Sequence, residues 1–117
     1  PRSAPRALAV GAATTVVAMP LIMMLIPGEA AQRLLPLSWS QRVGYWLHAL
    51  ERMSEHPWRG WGLEASRAFS PVIQLHPHNG ALQIWLELGV IGACAMALTW
   101  AFVFRRLLGA KIAATLP

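Results

Sequence analysis

Charge is scarce in this sequence. Only 13% of its 117 residues are charged, against about 25% in an average soluble domain. Apolar residues make up 56%. Too little polar surface exists to coat a water-soluble globule of this size, so a membrane protein is the expected class. Cysteine is nearly absent. Cys94 stands alone within an apolar run, which excludes an intrachain disulfide. A dense basic run is missing too. The net charge is +5, from ten Lys/Arg against five Asp/Glu, but the bases are scattered. Nucleic acid is therefore a poor fit as partner, and lipid phosphates or a phosphorylated substrate a better one. No internal repeat is visible.

What is present is two long apolar runs with a polar interval between them. Pro1 to Arg6 is a short head with Arg2 and Arg6, and Ala7 to Pro27 then runs 21 residues without a charge. About 20 such residues cross the hydrocarbon of a bilayer, so 7–27 is expected to be a transmembrane helix. Pro20 lies inside it and is expected to kink it. A secretory signal peptide is the alternative, though the apolar run is longer than a usual h-region. The second run, Ala81 to Phe104, holds one charge, Glu87. Gly89, Gly92, Ala93 and Ala97 on this span predict close approach by another helix. Arg105, Arg106 and Lys111 begin the tail, 105–117.

The interval from Gly28 to Gly80 carries four of the five acids, five Arg and all four His. Ser38 and Gln41 resemble a capping box. Val43, Trp46, Leu47, Leu50 and Met53 then recur at helical spacing. A helix over about 40–55 is expected, ending before Pro57, with Arg42, Tyr45, His48 and Arg52 on its polar face. Trp39, Trp46, Trp58 and Trp61 crowd the interval and favour a helix lying along the membrane interface. Gly60 and Gly62 mark a turn. Leu63 to Leu75 reads as loop with at most a short helix. Asn79 is a good N-cap for the second span. The expected fold is thus an all-α membrane hairpin: two transmembrane helices joined by a polar loop that bears an interfacial amphipathic helix. Bases set against the second span, and acids that nearly neutralise the bases of the interval, favour cytoplasmic ends and an external loop.

Chemistry concentrates at His76-Pro77-His78-Asn79-Gly80. The positive end of the following helix disfavours imidazolium, so His78 is expected to be neutral and able to take a proton. The same helix end attracts phosphate. A capping or interfacial histidine without chemistry is the alternative. A zinc site built on His76, His78 and other His or Glu lacks a known ligand spacing, and no metal is expected. The guanidinium groups of Arg42, Arg52, Arg59 and Arg67 suit a diphosphate, or they are solvated, snorkelling charges. Asn79, Gln83 and Glu87 form a polar stripe at four-residue spacing. Glu87, a carboxylate inside a span, reads as functional or as a polar contact between helices.

These residues carry a resemblance. His78-Asn79, nine residues, then Gly89-Val90-Ile91-Gly92 resembles the signature of the O-antigen ligase and O-antigen polymerase family. So does the upstream order Arg42, Trp46, Met53, His56-Pro57, Gly60 and Gly62. The resemblance runs from about Arg42 to Gly92. It implies a polytopic glycosyltransferase of the bacterial inner membrane with its active loop in the periplasm, and a 105–117 tail in the cytoplasm. It implies transfer of a glycan, without metal or cofactor, from undecaprenyl diphosphate. The donor would be a lipid-linked oligosaccharide or polysaccharide, and the acceptor a glycan, lipid A-core or protein. His78 would deprotonate the acceptor hydroxyl and Arg42 would hold the leaving diphosphate. Asn79, His76, Arg52 and Arg59 would bind substrate around them. With two spans only, the chain would be a piece of a larger, many-helix protein, inactive alone. An anion-transporting component and a purely structural hairpin are the competing readings.

Overall fold

A computed structural model describes residues 4–114, with side chains through Leu107 except Pro5. Arg2 of the basic head lies outside the described residues, as does the Lys111 side chain. Helix α1 spans Ala4–Met24, α2 Gly28–Leu34, α3 Leu37–Glu55 and α4 Gly80–Ala114. A 3-10 turn over Ala65–Phe69 sits in the loop between α3 and α4. No strand is present among the described residues. Two stretches, Arg6–Met24 and Gly80–Leu107, are long and apolar enough to cross a membrane. Large apolar side chains on both, among them Leu8, Leu21, Leu98 and Phe102, are exposed. A water-soluble monomer rarely leaves such faces open, whereas hydrocarbon or further helices cover them readily.

α1 and α4 pack side by side. Ala9, Ala93 and Ala97 are buried, and the Trp85 indole N–H donates to the Val16 carbonyl at 2.9 Å. α1 continues through Pro20 and ends at Met24, short of the expected Pro27. α2 is an addition that no periodicity announced. It leans on α3, where Leu47 packs against Gly28.

α3 begins three residues earlier than expected. Pro36 precedes its first turn, and its carbonyl accepts from Trp39 and Ser40 N–H. No side chain caps this end, so the capping box of Ser38 and Gln41 does not form. Proline already supplies the extended backbone that starts the helix, which puts Ser38 inside it.

The core joins α3 to the loop and to α4. Ala49, Met53, Ile73, Leu82 and Leu86 are buried together, with Tyr45, Trp46, Leu50, Phe69 and Trp85 against them. Of the expected stripe, Val43, Trp46, Leu50 and Met53 turn inward. Leu47 turns toward α2, while Tyr45 packs against the core. The loop is therefore a folded layer. Trp46 and Trp61 each donate an indole N–H to a backbone carbonyl; Trp46 is half-buried, while Trp39, Trp58 and Trp61 are exposed.

Candidate functional site

The second span is not continuous. Gly89 interrupts α4 with φ 64° and ψ −163°, a conformation open essentially to glycine alone. A broken helix leaves carbonyls before the break and N–H groups after it without partners. The Pro57–Gly62 turn satisfies both sides. Trp61 and Gly62 N–H donate to the Leu86 and Glu87 carbonyls, each at 2.9 Å. Val90 and Ile91 N–H donate to the Pro57 and Trp58 carbonyls at 2.8 and 3.3 Å. The approach is backbone on backbone. A Cβ on Gly89 would stand 2.5 Å from the Trp58 carbonyl, and one on Gly60 would stand 2.6 Å from the Glu87 oxygen. Gly60 and Gly62 also have positive φ.

This corrects the reading of Gly89 as a surface for a neighbouring helix: a tight turn docks there instead. Gly92 has its own place in the arrangement. A Cβ there would run into the Cβ of Leu88, which the helix backbone fixes in place. Only Ala93 and Ala97 keep the expected role of small residues buried on the span.

The latch holds the first half of α4, and the start of α4 carries the residues expected to do the chemistry. Asn79 caps it as expected: its Oδ1 accepts from Ala81 and Leu82 N–H, both at 3.2 Å. His78, just before the cap, is exposed and has φ 53°, in the left-handed region that non-glycine residues seldom adopt. Three contacts surround it. The His76 ring lies 4.2 Å away, centroid to centroid. The Tyr45 ring stacks at 6.1 Å with 22° between planes. Below, the Trp46 indole N–H donates to the carbonyl of buried Pro77 at 2.8 Å.

Arg42 lies about one helical turn before Tyr45 and Trp46, its guanidinium 5.0 Å over the Trp39 ring. The pKa of His78 is lowered from the ordinary imidazole value, first by desolvation and then by interaction with His76 and with the Arg42 guanidinium. At neutral pH the ring is therefore uncharged and carries a lone pair. The site offers a neutral base, a guanidinium and a capped helix start on one exposed surface.

The other expected site residues fall elsewhere. Arg52 pairs with Glu55 at 2.8 Å and lies 5.9 Å from the Phe69 ring. Arg59 is exposed within the latch turn. Glu87 is buried, and its Oε1 accepts from Ser66 Oγ and Gln83 Nε2, both at 3.2 Å. The polar stripe thus ties the second span to the 3-10 turn. Among the described residues, no three His, Cys or acidic groups gather where they could hold a metal.

Tyr45, Trp46 and Ser66 are contributors that sequence reasoning did not single out for the site. Trp46 carried a signal, lying one turn from Arg42, but its partner Pro77 is 31 residues away. The chain matches no curated protein and no solved structure. A family model described as O-antigen ligase matches residues 2–113. Nearly the whole sequence lies inside that match, including the latch, the capped start of α4 and both apolar helices, so this membrane chain belongs to the O-antigen ligase family.

Proposed function

We propose that this chain carries the transfer site of an O-antigen ligase-type glycosyltransferase, moving a glycan from undecaprenyl diphosphate to an acceptor hydroxyl at the periplasmic face of the inner membrane. His78 is the base. It takes the acceptor proton as the oxygen attacks the anomeric carbon. The bond from that carbon to the diphosphate breaks with inversion, and the lipid diphosphate leaves with the electron pair. Arg42 holds the departing phosphate charge, which a bidentate, permanently charged group stabilises well. Asn79 sits beside them as cap of the helix start.

One observation carries the reading: an exposed imidazole at a capped helix start, its pKa lowered in part by Arg42. Glu87, a carboxylate that would also suit an anion-transporting component, accepts hydrogen bonds from Ser66 and Gln83.

The test is His78→Ala in the full-length protein, with surface and lipid-linked glycan compared by gel at matched protein levels. Unattached long lipid-linked chains identify a ligase, and accumulated single repeat units a polymerase. Normal glycan overturns the transfer reading.

A further inference from the structure

His76 has no role in the transfer steps above, yet it bonds directly to the His78 backbone. Its Nδ1 accepts a hydrogen bond from the backbone N–H of His78 at 3.2 Å. A side-chain acceptor bonded to the N–H two residues on is the geometry of an Asx-turn, with imidazole in the place of the usual Asn or Asp oxygen. An Nδ1 that accepts cannot bear a proton, so in this arrangement the proton of His76 sits on Nε2. The bond falls on a backbone unit that needs support. His78 adopts φ 53°, which costs free energy for a residue with a Cβ and persists only where surrounding contacts enforce it. The Trp46 bond to the Pro77 carbonyl pins the same segment from the other side.

We propose that His76 is a positioning residue for the transfer reaction: through Nδ1 it holds the His78 backbone in the left-handed conformation that aims the His78 ring. This rests on the reading of His78 as the base. It differs from a substrate contact, which would run through the outward Nε2.

The two nitrogens can be separated by substitution. Asn places its oxygen near the position of Nδ1, Gln near that of Nε2, and Ala removes both. Transfer kinetics of His76→Asn, His76→Gln and His76→Ala are measured in the full-length protein, with His78→Ala alongside. The expected result is that Asn keeps kcat within about threefold. Gln and Ala lose about tenfold in kcat, the loss expected of one orienting hydrogen bond, while KM for the lipid-linked donor stays within about threefold. Rescue by Gln rather than Asn, or a rise in KM at unchanged kcat, overturns the proposal in favour of a substrate contact. Equal kcat in all three variants overturns it as well. If His78→Ala itself remains active, the base reading falls and takes this proposal with it. If only His78→Ala is dead and the His76 variants do not separate, the positioning role alone falls.

Discussion

Replacing Gly89 with alanine tests the latch directly. The native backbone there, φ 64° and ψ −163°, lies outside the regions open to L side chains. Forcing alanine into it costs about 1–3 kcal/mol in strain alone. The added Cβ also meets Trp58 C and O at 2.5 Å and Arg59 N at 2.6 Å. These are backbone atoms of a turn, not the ends of flexible side chains, so the turn must move. The four hydrogen bonds between the turn and the break move with it. Their loss adds about 2–6 kcal/mol, and more where the freed groups face hydrocarbon. Even the low end, about 3 kcal/mol, is a large share of a typical stability of about 5–15 kcal/mol. The assay is thermal unfolding of the full-length protein in detergent, followed by tryptophan fluorescence. Gly89→Ala is expected to lower Tm by at least about 5 °C. Gly11→Ala, where an added Cβ meets nothing within 4 Å, serves as control and is expected to leave Tm unchanged or slightly raised. Gly92→Ala, whose added Cβ would meet the backbone-fixed Cβ of Leu88, is expected to lower Tm as well. A Gly89→Ala protein that melts with the Gly11→Ala control refutes the latch.

Two further outcomes are expected. Because the Arg42 charge contributes to depressing the His78 pKa, Arg42→Gln is expected to raise it toward the ordinary imidazole value of about 6.5, read from the pH titration of the His78 ring proton by NMR; the ring then gains its proton at a higher pH, and an unmoved titration contradicts the arrangement. Glu87→Leu is expected to cost about 1–3 kcal/mol by leaving the Ser66 and Gln83 donors unpaired, whereas Glu87→Gln, which keeps an acceptor oxygen, is expected to cost less; equal melting temperatures for the two variants refute the structural role given to this carboxylate.

The spans were legible because they depend on composition over a length. Arg6–Met24 and Gly80–Leu107 follow from runs of apolar residues, whatever those residues later touch. The cap at Asn79 was legible because its partners, Ala81 and Leu82, are two and three residues away. The start of α3 was misread for an equally local reason: Ser38 and Gln41 fit a capping pattern, but Pro36 had already begun the helix. Its inward face was read rightly at Val43, Trp46, Leu50 and Met53 and misplaced at Leu47 and Tyr45, because periodicity ranks side chains by polarity. It did not show that Tyr45 would meet His78, a residue 33 positions on.

Sequence alone therefore determined the class of the molecule, its two apolar helices, the capped start of the second, and the residues from which a site could be built. All of these rest on short-range periodicity or on summed hydrophobicity. Only the tertiary structure decided what Gly89 does. A glycine in an apolar run reads equally well as a helix contact or a helix break. The choice falls to the Pro57–Gly62 turn, about thirty residues upstream, whose N–H and carbonyl groups fill the places that the break leaves empty. The same holds for His78, whose backbone conformation depends on the ring of His76 and on the indole of Trp46 beneath Pro77. Hydrogen bonds between distant segments are chosen by the packing that brings those segments together, and no local pattern encodes them.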